Sequence, residues 1–229
     1  MNIRGFNKLS LVDFNGKIGC TIFLGNCNFK CSFCHNSILV DKYNDEPEIS
    51  FEDILQYLEK RRGIIEAVCV TGGEPTLDCD LPKMLLEIKK RGYFIKLDTN
   101  GSNYLILKEL IENKLVDYVA MDVKHSLCKY NEITNVNVDL ENIKNSITYL
   151  INGKIDYEFR TTLVSEYHSL EDIINMREIL QGAKRIYLQK FINNPNCFDN
   201  SLNCVNEELA NKYKDVLKEK INEVYLRGY

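Results

Sequence analysis

Short apolar runs alternate with longer amphipathic stretches along this 229-residue chain, and the two patterns predict different elements. The runs Lys17–Leu24, Ile65–Thr71, Phe94–Thr99, Tyr118–Val123, Tyr157–Val164 and Arg185–Phe191 read as strands. Three of them contain the near-continuous apolar stretches Ala67-Val68-Cys69-Val70, Phe94-Ile95-Lys96-Leu97 and Tyr118-Val119-Ala120-Met121, as expected of strands covered on both faces. Between the runs, helical spacing predicts helices over Ser50–Arg62, Leu81–Arg91, Tyr104–Asn113, Leu140–Asn152, Leu170–Leu180 and Glu207–Val224. Ser50 is placed to cap the first of these, with Asp53 at its N3 position and Ile49 able to staple to Ile54. Gly63, Gly92, Gly153 and Gly182 each follow a helix, where a left-handed C-cap is wanted. Six β–α units in series imply a parallel sheet with right-handed crossovers. Six are too few for a closed eight-fold barrel, so the expected fold is α/β, an open, partial (β/α)6 barrel with its chemistry at the C-terminal ends of the strands. On pattern alone, a doubly wound flat sheet remains the alternative.

Composition narrows the function classes. With 45% apolar and 27% charged residues the chain reads as an ordinary globular protein, and nothing in it resembles a linker, so a single domain over residues 1–229 is expected. The balance of 29 basic against 33 acidic residues leaves no footprint for nucleic acid. No apolar run approaches the roughly 18 to 20 residues of a membrane span. Nine cysteines make an odd count and no apolar signal region opens the chain, which favours a reducing, cytoplasmic compartment over a disulfide framework.

The chemistry-bearing feature is the run Cys27-Asn28-Phe29-Lys30-Cys31-Ser32-Phe33-Cys34-His35. Three thiolates on one short loop can hold three irons of a 4Fe–4S cluster and leave the fourth open, whereas electron-transfer clusters take four cysteines. A structural zinc site wants four ligands; His35 is too close to Cys34 to serve, and the other six cysteines form no second C-x2-C pair. An iron–sulfur electron carrier or a zinc module remains the rival from another class. Further polar groups fall at predicted strand ends. Val70-Thr71-Gly72-Gly73-Glu74-Pro75 has two glycines that let backbone approach a ligand closely. Leu97-Asp98-Thr99-Asn100-Gly101 offers Asp98 as an acceptor and Asn100-Gly101 as a turn. In Met121-Asp122-Val123-Lys124, alternation puts Asp122 and Lys124 on one face, where they either face a pocket or satisfy each other. Arg160 suits a carboxylate clamp, although an arginine on a strand is often a structural ion pair.

The C-x3-C-x2-C spacing, with the aromatic Phe33 before its last cysteine, resembles the signature of the radical S-adenosylmethionine (SAM) enzymes, and Gly72-Gly73-Glu74-Pro75 resembles their GGEP turn. The opening Gly5-Phe6-Asn7-Lys8-Leu9-Ser10-Leu11-Val12-Asp13-Phe14-Asn15-Gly16-Lys17, with Cys34-His35-Asn36, is similar to the activases of glycyl-radical enzymes. It is most similar to the anaerobic ribonucleoside-triphosphate reductase activating proteins. Asn15 and Ser32 depart from that group, where proline is usual; neither is a ligand. The resemblance implies that Cys27, Cys31 and Cys34 hold a 4Fe–4S cluster and that SAM chelates its open iron. Phe33, Gly72, Gly73 and Glu74 would line the SAM site, Lys124 and Arg160 would meet its carboxylate, and Asp98 its ribose. Asp98, Thr99 and Asp122 would shape a monovalent-cation site, as in related activases. The implied reaction is one-electron cleavage of SAM to methionine and a 5′-deoxyadenosyl radical, which takes a hydrogen from a glycine of the partner enzyme. A flavodoxin or ferredoxin would supply the electron, in an anaerobe's cytoplasm. The nearest rival is a radical SAM enzyme acting on a small molecule, such as a 7-carboxy-7-deazaguanine synthase. The C-terminal Leu226-Arg227-Gly228-Tyr229 only faintly echoes a glycyl-radical loop and reads as the frayed end of the last helix.

Overall fold

The computed structural model describes residues 1–229 and contains eight strands: β1 (Ile3–Ser10), β2 (Gly19–Leu24), β3 (Ala67–Gly72), β4 (Phe94–Thr99), β5 (Tyr118–Asp122), β6 (Asp156–Leu163), β7 (Arg185–Lys190) and β8 (Glu223–Arg227). They follow one another in chain order in a single mixed sheet. Strand β1 is antiparallel to β2; the β2–β3, β3–β4, β6–β7 and β7–β8 pairs are parallel. The helices are α1 (Ser37–Asp41), α2 (Phe51–Lys60), α3 (Leu81–Lys90), α4 (Tyr104–Glu112), α5 (Tyr130–Thr134), α6 (Leu140–Asn152), α7 (Leu170–Ile179) and α8 (Glu207–Lys218). None is long and apolar enough to cross a membrane.

The chain divides into two compact units. One comprises Met1–Asn28, Asn36–Thr99 and Leu105–Val119; the other comprises Phe29–His35, Asn100–Tyr104 and Ala120–Tyr229. In the first, the apolar run of β3 is buried throughout, and α3 buries Leu81, Met84, Leu85 and Ile88, the stripe of a helix lying on a sheet. Each such side chain removed from water contributes up to roughly 1.5–3 kcal/mol. In the second, Phe159, Leu163 and Leu188 of β6 and β7 form the core with Ile147 of α6 and Met176 of α7.

All six expected strands are present within one or two residues, and the six helices begin within one residue of their expected starts. Ser50 accepts from the Asp53 amide, and Ser169 and Asp172 form a reciprocal capping box at α7. Three expectations need correcting. Two edge strands, β1 and β8, escape the sequence pattern: β1 is half exposed and interrupted by register shifts, so it lacks clean alternation. The last helix stops at Lys218, and Glu223–Arg227 runs as β8 beside β7, so the C-terminal residues are strand and turn rather than frayed helix. Gly63, Gly92 and Gly182 are left-handed, but Gly153 has φ −80° and ψ 179°, an extended end to α6.

Candidate functional site

The thiol loop leaves the C-terminal end of β2. In the first unit, Cys27 sits beside the glycine turn that ends β3. The Gly73 amide donates to the Leu24 carbonyl at 2.8 Å, the Glu74 amide donates to the Asn26 carbonyl at 2.8 Å, and Asn36 Nδ2 donates to the Gly72 carbonyl at 3.0 Å. This backbone approach explains both glycines. A Cβ on Gly73 would lie 2.0 Å from the Asn26 carbonyl oxygen and 3.2 Å from Cys27 Cβ; one on Gly72, at φ +126°, would lie 2.2 Å from the Leu24 oxygen. Glu74 is buried, and its Oε1 accepts from the Thr76 amide (3.1 Å), the Thr76 hydroxyl (2.6 Å) and the Thr99 hydroxyl (2.7 Å), joining the turn to the end of β4. Asp98, two residues after Lys96 on the same face of β4, lies 2.7 Å from the Lys96 ammonium.

In the second unit, Cys31 and Phe33 are buried and Cys34 is partly exposed. The Cys34 amide donates to the Cys31 carbonyl at 2.9 Å, and the segment is clamped from outside. Lys30 N–H donates to the Thr134 carbonyl (2.8 Å), Asn135 Nδ2 donates to the Lys30 carbonyl (2.9 Å) and Ser32 Oγ (3.0 Å), and Asp199 N–H donates to the Ser32 carbonyl (3.0 Å). Nothing in the sequence marks Asn135 or Asp199 for this part, because the contacts span a hundred residues or more. His35, discounted above as a ligand, has Nε2 2.7 Å from the Ile192 carbonyl and its ring stacked on Phe191. Asp122 accepts from Lys124 Nζ (2.9 Å) and Arg160 Nε (2.8 Å), so these three expected site residues come together. Burial alone would raise the Asp122 carboxyl, but the Arg160 and Lys124 charges outweigh it and hold the group well below the usual carboxylate range. Two cations against one anion leave the trio with a net positive charge, which an incoming carboxylate could meet. Burial pushes the Cys31 thiol up to about 11, against the pull of Lys124.

None of the nine cysteines is in a disulfide, and the donor types suit the expected cluster: three thiols at C-x3-C-x2-C, the first with a close backbone turn packed against it within its own unit. The residues expected from the sequence fall in both units: Cys27, Gly72, Gly73, Glu74, Asp98 and Thr99 in the first, and Cys31, Phe33, Cys34, Asp122, Lys124 and Arg160 in the second.

Comparison with known proteins agrees with this chemistry. Over 199 residues the chain is 36% identical to a Methanocaldococcus jannaschii protein named as a candidate glycyl-radical enzyme activating enzyme, matching 82% of this chain and 79% of that one. Over 174 residues it is 31% identical to a Saccharolobus islandicus protein named as a candidate GTP 3′,8-cyclase, matching 71% of this chain but only 53% of that one. The crystal structure of Streptococcus suis SuiB bound to S-adenosylmethionine superposes with a TM-score of 0.67 at 16% identity, over 89% of this chain and 48% of that one, a likeness of fold. Residues 21–180 match the radical SAM superfamily as a whole, a span running from β2 through α7 and including the cysteine loop. The chain belongs to the radical SAM superfamily, whose cofactors are a 4Fe–4S cluster and S-adenosylmethionine.

Proposed function

We propose that this protein activates a glycyl-radical enzyme, with an anaerobic ribonucleotide reductase as the partner and a flavodoxin or ferredoxin as the electron source. The observation that carries this reading is the 36% identity to the activase-named relative, sustained over about four fifths of both chains. The cyclase-named relative supports a second, small-molecule reading more weakly, since this chain spans about half of that protein.

On this reading Cys27, Cys31 and Cys34 hold the cluster, which with bound SAM supplies a 5′-deoxyadenosyl radical by one-electron cleavage of the S–C5′ bond. The chain's own residues bind and orient. Gly72 and Gly73 bring backbone groups against the ligand, and the Glu74 carboxylate, fixed by Thr76 and Thr99, sets the turn that receives the SAM amine. Lys124 and Arg160, spread on Asp122, receive the SAM carboxylate. Asp98 accepts from the ribose, and buried Phe33 keeps water from the thiol segment.

The test is anaerobic reconstitution with iron and sulfide, reduction, and assay of 5′-deoxyadenosine with and without an anaerobic ribonucleotide reductase. Cleavage of SAM with a glycyl-radical EPR signal on the reductase is the expected result. Cleavage with no radical on any glycyl-radical enzyme, but with turnover of a nucleotide, would replace this reading with the small-molecule one. An intact, reducible cluster that leaves SAM uncut would overturn both.

A further inference from the structure

The resemblance to activases carries an expectation of a monovalent cation among Asp98, Thr99 and Asp122, and the donor set does not fit one. A cation site of that kind needs carboxylates whose charge is not already matched. Each of the two carboxylates here has a cationic partner from the chain itself, within its own unit. Asp122 carries Lys124 at 2.9 Å and Arg160 at 2.8 Å. Asp98 carries Lys96 at 2.7 Å.

Lys96 is the unusual member. It is the one charged residue in the apolar stretch Phe94–Leu97, and it is 5% exposed. Beside it in register on β3 is Cys69, whose Sγ lies 4.0 Å from Lys96 Nζ and 3.7 Å from Asp98 Oδ1, so a thiol, the ammonium and the carboxylate share one face of the sheet. An ammonium at that depth is retained only against a negative partner. A sodium or potassium ion brought to Asp98 would meet this fixed charge at contact distance and be repelled.

We propose that the Lys96 ammonium takes the place of the monovalent cation: a counter-ion tethered to β4 that keeps Asp98 ionised and oriented toward the SAM ribose, so that SAM binding is independent of sodium and potassium. This rests on the reading of Asp98 as a SAM contact given above. A tethered charge loses no translational freedom on binding and is not diluted or exchanged with the medium, so the site stays matched at any ionic composition.

The experiment compares the holoprotein with its Lys96→Met variant in buffers whose only cation is tetramethylammonium, sodium, potassium or methylammonium. SAM affinity is measured by calorimetry, and apoprotein melting is followed in parallel. Wild type is expected to bind SAM within twofold in all four buffers, with no shift in apoprotein melting between them. Lys96→Met is expected to bind SAM at least tenfold more weakly in tetramethylammonium with its cluster iron unchanged. Potassium or methylammonium should then recover most of that affinity and raise its apoprotein melting temperature. Saturable stimulation of the wild type by sodium or potassium would overturn the proposal, as would a Lys96→Met loss that no cation repairs, which is the mark of a merely structural pair. Should Lys96→Met not fold, Lys96→Arg must keep both affinity and cation independence, and failure of either overturns the proposal. Failure of the underlying reading looks different: cation-independent melting of the wild type together with no SAM binding in any buffer.

Discussion

At the scale of single residues, the carboxylate of Glu74 separates two jobs that its motif alone cannot. Its Oε1 takes three hydrogen bonds that hold the turn, while its charge is what an ammonium would use. Glu74→Gln keeps an oxygen acceptor and deletes the charge. SAM affinity should therefore fall about tenfold, ~1.4 kcal/mol, with the melting temperature nearly unchanged. Glu74→Ala strands the Thr76 amide and two buried hydroxyls, and should cost about 3 kcal/mol of stability as well. Equal effects of the two substitutions, on affinity and melting alike, would deny the charge a role. Cys31 poses a simpler question. Its side chain is buried but small, so Cys31→Ala should retain far-UV circular dichroism and lose cluster absorbance and SAM cleavage together. Cleavage surviving in that variant would remove Cys31 from the ligand set.

At the scale of elements, the glycine turn after β3 makes a sharper test than the strands it joins. A Cβ on Gly73 has only backbone to push against, at 2.0 Å from the Asn26 oxygen, so the start of the thiol loop must move. Gly92 is strained by its φ of +86° but faces open space. Gly73→Ala should thus lose most of its reconstitutable iron, whereas Gly92→Ala should assemble a full cluster at a cost of about 1 kcal/mol in stability, measured by chelatable iron and denaturant midpoint. The same contrast explains what was readable in the sequence. Strands β3 and β5 are buried on both faces and so appear as unbroken apolar runs. Edge strands β1 and β8 mix exposed and buried positions at irregular spacing and left no period to detect. Gly153 followed a helix like its three counterparts, yet its backbone turns into β6 through an extended conformation that residue type does not encode. The motif residues were legible because their spacing is local. The partners that set their charge were not: Arg160 reaches Asp122 across 38 residues, and Lys96, though only two residues from Asp98, was hidden inside an apolar pattern.

At the scale of the whole molecule, stability should depend on pH through a buried network in the second unit. His168, 1% exposed, has Nδ1 3.1 Å from the Val164 amide nitrogen and Nε2 3.3 Å from the Lys124 carbonyl; with Nδ1 accepting and Nε2–H donating, the neutral ring satisfies both. The His125 ring lies 5.1 Å away, bonded to Ser126 and the Tyr167 carbonyl, and behind it Asp172 is held by Lys129 at 2.8 Å and by Ser169. Tyr213 donates to the His168 carbonyl from α8. Burial first, and the neighbouring His125 second, depress the His168 imidazolium to about 4. The unfolded chain takes up that proton near pH 6.5 and the folded one resists it until about pH 4, so the native state binds fewer protons in between. The stabilisation is therefore complete above pH 6.5 and drains away as the pH falls toward 4, by about 3 kcal/mol over the full window. Asp172, held down to about 2 by Lys129 and Ser169 against the upward push of burial, adds its own loss only below pH 4. Denaturant midpoints between pH 7.5 and 5 isolate the histidine. The wild type should lose stability across that interval, and His168→Gln, less stable at pH 7.5, should lose markedly less. Parallel slopes for the two proteins would mean that His168 already carries its proton in the fold. The hydrogen bond from its ring to the Lys124 carbonyl, directly behind the Asp122 trio, could then no longer be ascribed to a neutral imidazole.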